Sequence, residues 1–316
     1  MTMILPTLKQ LEYLVAVAET GHFGRAAERC NVTQSTLSAG VAELERLLAA
    51  TLIERGRRVS RLTPAGEAVV ARAHRVLREA EELAQAALAQ SEPLSGTLRL
   101  GVIPTIAPFL LPRVLPGLRA RYPDLKLFLR EELSGPACES LAKGALDAVL
   151  LALPWPCGDF ETEPLFEDPV WVAFAPGDFP DPPPTIAPGA LAAEQLLLLE
   201  DGHCFRNHSL AACGRPELQA DRMIMGTSLH TLVQMVDNRL GMTLVPRMAL
   251  DAGILHGTRV EARPIEGAPA RTIALAWRST SPRAEEFRLL AVALRDGAAS
   301  IRRTARAAVQ PAQPPG

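Results

Sequence analysis

Apolar side chains recur at helical spacing through the first fifty residues. The first predicted helix buries one face, formed by Leu8, Leu11, Leu14 and Ala18. A shorter helix is predicted over residues 24–30, and Thr33 is a favourable N-cap for a third helix. Two helices joined by a short turn, the second beginning with polar residues, are typical of a helix-turn-helix unit that enters a DNA groove. An ordinary three-helix bundle is the alternative interpretation of the same pattern.

The start of the third helix and the segment behind it carry side chains that suit DNA. Hydroxyl and amide groups bind base edges and phosphates, and here they belong to Thr33, Gln34, Ser35, Thr36 and Ser38. Residues 55–61 hold four arginines around a glycine, which predicts a β-hairpin wing lying against phosphates. The candidate contacts in this wing are Arg55, Arg57 and Arg58. A solvated charged surface is the alternative for the arginine run.

A long helix is predicted to follow, with Thr63 as its cap and Pro64 in its first turn. Apolar residues recur every seven positions along it, as Val69, Val76 and Leu83, with alanines in the intervening register. Such a repeat is typical of a coiled-coil seam, so residues 64–90 are predicted to form a dimerisation helix. Packing of this helix against its own domain is the alternative.

From residue 97 onward, strand-like apolar runs alternate with helical stretches. The predicted strands cover residues 97–103, 125–129, 147–153, 170–175, 195–199, 242–245 and 272–277. The predicted helices cover residues 107–120, 137–145, 227–236 and 282–295. Elements in this order predict βαβ units, a mostly parallel sheet and two α/β lobes with a cleft between them. The tail, residues 301–316, is rich in Ala, Pro and Gln and is predicted to be disordered.

Composition narrows the range of functions. The net charge of −2 means that any DNA-binding surface is local. Scattered cysteines, with neither a signal peptide nor an apolar run long enough to span a membrane, predict a cytoplasmic protein. The sequence shows no metal-binding spacing and no phosphate-binding glycine loop, so neither a metal nor a cofactor is expected. Cys30, Cys138 and Cys157 are interpreted as structural thiols.

Two further cysteines, Cys204 and Cys213, dominate the stretch from 200 to 213. Potential cations flank the first of them, at His203, Arg206 and His208. Nearby positive charge lowers the pKa of a thiol and makes it reactive, whereas Cys213 lies in an apolar run. Nine residues of helix rise about 13.5 Å, beyond the Cα separation of about 4.4–6.8 Å in a disulfide. The pair is therefore either a switch that must remodel to form its bond or two unrelated thiols.

Several short motifs, in order and at matching spacings, resemble the N-terminal signature of LysR-type transcriptional regulators. They are Ala26-Ala27, Val32–Ser38, Leu44-Glu45, Leu52–Arg55 and Leu62–Gly66. Two departures lie near the predicted DNA-reading helix. Residues 49–51 replace a glycine-containing turn, and Gly40 stands where many members carry a long side chain.

The family resemblance implies a fold class and a domain order. It implies an α/β protein with an N-terminal all-α winged helix-turn-helix domain over residues 1–66, which binds double-stranded promoter DNA. The linker helix over 64–90 and a hinge over 91–96 would lead to a two-lobed effector domain over 97–300, similar to periplasmic binding proteins. The protein would be a transcriptional regulator and not an enzyme, and it would assemble as a dimer or a homotetramer.

Within that family, residues 103–112 and 199–213 resemble the peroxide-sensing activators of antioxidant genes. This resemblance implies that hydrogen peroxide oxidises Cys204, that Cys213 then closes a reversible disulfide, and that a cytosolic thiol reductant reopens it. It also implies a peroxide pocket made of Thr105, Ser134, His203, Arg206 and Arg278. Two alternatives stay open: a regulator whose effector cleft binds a small metabolite, and a thiol peroxidase enzyme.

Overall fold

Two compact units divide the chain. The computed structural model describes residues 5–55, 60–89, 93–179, 181–214 and 225–309. Residues 1–90 with 143–145 form the first unit, and residues 91–142 with 146–316 form the second. Among the described residues, no helix combines the length and the apolar character that a bilayer crossing requires.

The first unit is a helical bundle with a small hairpin. Its helices are α1 (Leu8–Thr20), α2 (Phe23–Arg29), α3 (Gln34–Leu48) and α4 (Pro64–Ala89). Its strands are β1 (Ile53–Arg55) and β2 (Ser60–Leu62), which pair antiparallel and form the predicted wing. Most of the predicted apolar positions meet in a core, but Leu8 of the predicted α1 face is 49% exposed. The fully buried members of this core include Leu14, Leu37, Val41, Leu44 and Leu52. Thr33 caps α3 as predicted, because its Oγ1 accepts a hydrogen bond from the backbone N–H of Thr36 at 3.2 Å.

Gly40 lies where α3 packs closely against α1. A β-carbon at this position would lie 2.6 Å from Cδ2 and 2.9 Å from Cε2 of Tyr13, closer than carbon atoms approach in proteins. Tyr13 is buried, so its ring has little room to move in a close-packed core. Glycine lowers the helix propensity of α3 by about 1 kcal/mol relative to alanine, and in return it lets the two helices approach. The departure from the family pattern at Gly40 is therefore a feature of the core.

Helix α4 buries only part of its length against its own unit. Val70 and Ala73 lie in the core. The first turns of α4 therefore pack against their own unit, which was the alternative to a dimerisation helix. Farther along, Val76 and Leu83 are 46% and 76% exposed. The seven-residue apolar repeat is therefore open to solvent from Val76 onward.

The second unit has two lobes, each built on a five-stranded sheet. The strands of the first lobe are β3 (Gly96–Val102), β4 (Leu125–Glu131), β5 (Ala148–Leu153), β6 (Phe160–Asp168) and β12 (Arg271–Arg278). The strands of the second lobe are β7 (Val170–Phe174), β8 (Leu196–Leu199), β9 (Met225–Gly226), β10 (Met242–Pro246) and β11 (Glu261–Pro264). The spatial orders are β4-β3-β5-β12-β6 and β11-β7-β10-β8-β9.

The helices of this unit cover the two sheets and connect their strands. They are α5 (Ala107–Arg121), α6 (Ser134–Ala142), α7 (Cys204–Ala212), α8 (Leu229–Asp237), α9 (Arg247–Asp251) and α10 (Ala284–Val309), with 3₁₀ turns at Pro188–Ala190 and Ala193–Gln195. Helix α6 begins at Ser134, three residues before the predicted start. Helix α10 continues to Val309, so residues 301–309 are helical and the prediction of disorder there is wrong; alanine and arginine, frequent in this segment, favour helix. Residues 310–316 lie outside the described residues.

Both sheets are mixed, so the prediction of a mostly parallel sheet is wrong. In the first lobe β3 is parallel to β4 and β5, but β12 is antiparallel to β5 and β6. In the second lobe β7 is antiparallel to β10 and β11, while β8 is parallel to β9 and β10. The chain leaves the first lobe after β6 and returns to it as β12, which enters the sheet from the opposite end. Strand β6 was not predicted because Pro164 interrupts it beside a register shift, which an edge strand tolerates.

One disulfide contradicts the sequence-based interpretation of the cysteines. Cys138 and Cys157 are bonded, with their Cα atoms 5.4 Å apart, so they are not the structural thiols that were predicted. The bond joins α6 to the loop over residues 154–159 that follows β5. The pair was missed because 19 residues separate the two positions and no local pattern indicates that the fold brings them together. Cys30 is a buried thiol, as predicted.

Candidate functional site

The candidate site lies at one edge of the first sheet. Parallel strands end at a common edge, which is where open α/β sheets bind ligands. Thr105 follows the end of β3, and Ser134 begins α6 shortly after β4. Strand β6 ends at the same edge with Asp168, and the antiparallel β12 begins there with Arg271, the register partner of Asp168. The fold therefore gathers two hydroxyls, a carboxylate and a guanidinium from distant parts of the sequence.

Arg271 is the centre of a buried polar network. Its Nη1 donates to Thr105 Oγ1 at 2.8 Å, and its Nη2 donates to the Thr105 carbonyl at 3.2 Å. Its Nε and Nη2 donate to Asp168 Oδ2 at 3.0 and 2.9 Å. The other carboxylate oxygen, Oδ1, accepts from the backbone N–H of Met248 at 2.8 Å. Arg271 and Asp168 are almost fully buried, and burial of such charges requires this kind of pairing.

Cys204 begins α7 beside this network and is 2% exposed. Gly202, with a φ of 95°, makes the turn between β8 and α7 that no other residue type adopts readily. Burial raises the pKa of the Cys204 thiol above its usual range. A hydrogen bond from Ser134, the charge of Arg271 and backbone hydrogen bonds from Ala152 and Cys204 itself act in the opposite direction. Each of these groups stabilises the thiolate that a nucleophilic cysteine requires.

Ser134 is a buried hydroxyl that acts on Cys204. The residue is 1% exposed, its Oγ has no hydrogen-bond partner of standard geometry among the described residues, and its side chain lowers the pKa of the Cys204 thiol. A buried hydroxyl without an oxygen or nitrogen partner costs free energy. Its position in the first turn of α6 therefore fits a group that serves the thiol or a ligand beside it.

The two arginines that the sequence analysis placed in the pocket lie elsewhere. Arg206 is two residues after Cys204 on α7 and so points away from it; its Nη1 lies 3.4 Å from the exposed carboxylate of Asp201. Arg278 is at the opposite end of β12 from Arg271, about 23 Å along the strand, and it donates to the carbonyls of Leu141 and Leu146 at 2.9 Å. Arg271 takes the place predicted for Arg278. A sequence signal existed for it, since it is the charged residue at the start of a predicted apolar strand.

The histidines beside Cys204 are not the cations that were expected. Burial lowers the pKa of His203, against an opposing effect of Glu200. Burial and the charge of Arg271 lower the pKa of His208 to about 4, against an opposing effect of the Pro154 backbone. Neither ring nitrogen of His208 has a hydrogen-bond partner of standard geometry among the described residues. The prediction that neighbouring histidines and Arg206 activate the thiol is wrong, and Arg271 is the cation that acts on it.

Acid is expected to destabilise the second unit partly through His208. Its pKa of about 4 in the folded protein, against about 6.5 in an unfolded chain, means that the unfolded state binds more protons between these pH values. The contribution of unprotonated His208 to stability is therefore fully present above about pH 6.5, and it is lost as the pH drops towards 4. Between pH 7 and 4.5, the free energy of unfolding of His208→Gln is expected to fall by about 1–2 kcal/mol less than that of the wild type. This figure allows for partial exposure of the ring. Urea unfolding at each pH measures this, and parallel pH profiles of the two proteins would contradict it.

Cys213 lies at the other end of the helix that Cys204 begins. It forms the C-cap of α7, its N–H donates to the Ser209 carbonyl at 3.1 Å, and its side chain is buried. The two sulfurs are thus held apart by the full length of α7, as the sequence predicted for a helical segment. A bond between them requires α7 to unwind.

A cleft adjoins the site on the side of His203. Its volume is about 470 Å³. It is lined by Pro104, Pro108, Phe109, Glu131, Leu133, Glu200, His203, Thr227, Ser228, Leu229 and His230. The lining comes from both lobes, so the cleft is the one that the sequence predicted between them.

The predicted DNA-reading residues lie on the surface of the first unit. Thr33, Gln34, Ser35 and Thr36 are exposed, and Ser38 is half-buried. Thr33 Oγ1 lies 2.9 Å from Ser35 Oγ and 2.8 Å from Thr36 Oγ1, so this hydroxyl is already engaged in capping α3. The side chain of Arg55, and Arg57 and Arg58 altogether, lie outside the described residues.

Glu45 is a residue of this unit that the sequence analysis did not recognise as structural. Its Oε1 accepts from the backbone N–H groups of Leu52 and Ile53 at 2.8 and 3.1 Å. These bonds attach the start of β1 to α3. The carboxylate therefore fixes the wing relative to the helix that begins with the polar residues.

Two family descriptions match the chain over most of its length. Residues 8–67 match the bacterial regulatory helix-turn-helix protein, lysR family. Residues 91–299 match the LysR substrate binding domain. The two matches correspond to the first and second units of the fold.

Curated relatives align along nearly the whole chain. The HTH-type transcriptional regulator EstR of Acinetobacter baylyi is 43% identical over 284 residues, covering 90% of this chain and 94% of EstR. The DNA-binding transcriptional dual regulator OxyR of Escherichia coli is 39% identical over 289 residues, covering 91% of this chain and 94% of that protein.

Solved structures give the same result. A full-length OxyR of Pseudomonas aeruginosa with one cysteine replaced by aspartate superimposes with a TM-score of 0.77 at 38% identity, covering 92% of this chain and 95% of that one. A cysteine-to-serine mutant of Corynebacterium glutamicum OxyR with hydrogen peroxide bound superimposes with a TM-score of 0.66 at 32% identity, covering 100% of each chain.

Proposed function

This chain belongs to the LysR family of bacterial transcriptional regulators, with an OxyR-like regulatory domain, and we propose that it senses hydrogen peroxide through Cys204 and Cys213. The observation that carries the proposal is the buried polar group around Cys204 at the start of α7. Ser134 and Arg271 act on the Cys204 thiol, and Arg271 also donates to Thr105. The Corynebacterium glutamicum relative with peroxide bound supports the same ligand. In this proposal the regulator controls antioxidant genes.

The first step is nucleophilic attack by the Cys204 thiolate on one peroxide oxygen. The O–O bond breaks, the sulfur becomes a sulfenic acid, and the departing hydroxide takes up a proton to leave as water. Thr105 suits the task of holding the peroxide, because its Oγ1 accepts a hydrogen bond from Arg271 and so can direct its own proton to a peroxide oxygen. Ser134 is proposed to donate to the thiolate, and His203, whose pKa burial lowers, offers a further polar contact at the cleft.

The second step closes the switch. The Cys213 thiol loses its proton and attacks the sulfenic sulfur, the Cys204–Cys213 bond forms, the S–O bond breaks, and the departing hydroxide takes up a proton and leaves as water. Because α7 keeps the two residues apart in the reduced form, the bond can form only with remodelling of this helix. Thiol–disulfide exchange with a cytosolic dithiol returns both residues to thiols.

The output in this proposal is a change in how paired DNA-binding units lie on promoter DNA. Residues 1–66 carry the helix-turn-helix, residues 64–90 the dimerisation helix and residues 97–300 the sensor, with self-association as a dimer or homotetramer. The exposed apolar side chains of Val76 and Leu83 support a partner helix along α4. Remodelling of α7 would then repack contacts between sensor domains and re-space the DNA-binding units.

Mass spectrometry of the full-length protein after stoichiometric hydrogen peroxide tests the proposal. A peptide linked through Cys204 and Cys213 is the expected product, reversible by a dithiol. Sulfinic acid on Cys204 with Cys213 still a thiol would rule out the two-cysteine switch. DNA footprints of the reduced and oxidised forms then measure whether the contacts change.

A second candidate is a regulator that binds a small metabolite in the cleft. The cavity of about 470 Å³ beside His203 and the 43% identity to EstR favour it. Under this hypothesis a Cys204→Ser protein keeps its DNA response to the metabolite. Under the peroxide hypothesis the same protein loses its response to peroxide.

A further inference from the structure

The Cys138–Cys157 disulfide has no part in the proposed switch, yet it joins two walls of the Cys204 pocket. One wall is α6, which begins with Ser134 and carries Cys138 four residues later on the same helical face. The other is the loop over residues 154–159, which carries Cys157 and leads out of β5. The bond therefore fastens the helix of Ser134 to the strand end that faces α7.

Both walls belong to the same buried core as the reactive helix. Cys138 of α6, Ala152 of β5 and Cys204 of α7 are all buried within it. Ser134 and the backbone of Ala152 lower the pKa of the Cys204 thiol, and the backbone of Pro154 acts on His208 of α7. Cys157 is three residues beyond Pro154. Breaking the disulfide would consequently alter the surroundings of Cys204 through both α6 and the loop over residues 154–159. It would also alter the surroundings of His208, farther along α7.

The bond is accessible from one side only. Cys138 is 7% exposed, whereas Cys157 is half-buried in a loop whose neighbours Pro156 and Gly158 are exposed. Cys157 is therefore the more exposed of the two bonded cysteines, and the one at which we expect a dissolved thiolate to attack. Cys204 and Cys213, by comparison, are 2% and 3% exposed.

We propose that Cys138 and Cys157 form a second redox-modification site, opened by an exogenous dithiol, whose state controls how the pocket walls hold Cys204 and α7. A dithiol thiolate attacks the Cys157 sulfur, the disulfide breaks, and Cys138 leaves as a thiolate and takes up a proton. The second thiol of the reagent resolves the mixed disulfide, so the protein gains two electrons and two protons and the dithiol becomes a disulfide. The effect on Cys204 rests on the proposed peroxide function, while the existence of the second site does not.

The first test concerns the disulfide alone. The full-length protein is equilibrated in buffers with graded ratios of reduced to oxidised dithiothreitol, alkylated, and analysed by peptide mass spectrometry. We expect the Cys138–Cys157 linked peptide in oxidising buffers, its loss in reducing buffers, and a range of ratios in which it is present while Cys204 is alkylated as a thiol. The inference is overturned if the linked peptide never forms, or if no ratio separates the two cysteine pairs.

The second test measures the effect on Cys204. The reaction with hydrogen peroxide is measured in buffers in which Cys138–Cys157 is bonded while Cys204 is a thiol. There, Cys204 of the Cys157→Ser variant is expected to oxidise about tenfold more slowly than Cys204 of the wild type. A change of this size is expected when a hydrogen bond to a thiolate is weakened. Wild-type protein in which both cysteine pairs are reduced should show the same slower oxidation of Cys204. Because this protein carries no substitution, the comparison excludes a folding defect of the variant as the cause. Cys30→Ser, a change in the first unit, is the matched control and should react as the wild type does.

The outcomes separate the two proposals. Equal Cys204 rates in the wild type and Cys157→Ser would overturn the regulatory inference while leaving peroxide sensing intact. A Cys204 that resists peroxide in every form would end the proposed function and, with it, the effect on Cys204. The linked peptide of the first test would still decide the second redox site.

Discussion

Cys204→Ser is expected to slow the reaction with hydrogen peroxide at least about a thousandfold, because a serine hydroxyl stays protonated where a thiol can ionise. Peroxide consumption in single turnover and the DNA footprint after treatment measure the loss. The groups around the sulfur (Ser134, Arg271 and the start of α7) stabilise an anion, and they cannot make serine an anion at neutral pH. The substitution exchanges sulfur for oxygen in a buried site and leaves the surrounding hydrogen-bond donors in place.

Cys213→Ser is the matched comparison for this prediction. It is expected to react with peroxide at close to the wild-type rate but to stop at the sulfenic acid, because the resolving sulfur is missing. A dimedone adduct on Cys204 would record that state. If Cys204→Ser protein still changes its footprint with peroxide, the sensing residue lies elsewhere.

Arg271→Met is expected to destabilise the second unit by about 3–5 kcal/mol, the cost of leaving one partner of a buried ion pair uncompensated. The loss would leave the Asp168 carboxylate buried with the Met248 N–H as its remaining partner. Urea unfolding followed by tryptophan fluorescence suits the measurement, because all three tryptophans, Trp155, Trp171 and Trp277, belong to this unit.

Two controls make the Arg271 prediction specific. Arg263→Met removes an arginine whose partner Glu261 is partly exposed, and it is expected to change stability by no more than about 0.5 kcal/mol. Adding Asp168→Asn to Arg271→Met should recover much of the lost stability, because it removes the unpaired charge and keeps an acceptor for Met248. The double variant should still react slowly with peroxide, since Thr105 and Cys204 have both lost their cation. A double variant as unstable as the single one would mean that the ion pair is not the source of the loss.

The first unit was predictable in detail because its signals are local. Helical spacing of apolar residues, the Thr33 cap and the arginine run around a glycine all act within one or two turns of chain. The structure confirms the helices, the cap and the hairpin. It assigns Gly40 to the core because Tyr13 approaches it from α1, a contact that no local pattern encodes.

The site was predictable only in part. Ser134 acts on Cys204, His203 precedes it in the chain, and Thr105 is bonded to Arg271. The peroxide-binding roles of these three residues stay predictions. The sequence analysis chose Arg278 for the pocket, but Arg271 lies there. The two arginines are at opposite ends of β12, and only the end with Arg271 reaches the pocket. The antiparallel direction of β12, which decides this, was not predicted. The prediction of a lowered pKa for the Cys204 thiol was wrong for a related reason. Arg206 is close to Cys204 in the sequence, but α7 directs the two side chains to different sides of the helix.

By itself the sequence determined most of the helices and strands and their order, the DNA-reading motif, and two cysteines at a spacing that a helix holds apart. These follow from backbone geometry and side-chain periodicity, which act over a few residues. Only the tertiary structure decided which charge acts on the Cys204 thiol, that burial lowers the pKa of its histidine neighbours, and that Cys138 and Cys157 are joined. Those outcomes depend on burial and on contacts that no local pattern encodes. Such contacts span from 19 positions, between Cys138 and Cys157, to 166 positions, between Thr105 and Arg271. Desolvation and Coulomb energies exist only once the fold has removed the groups from water.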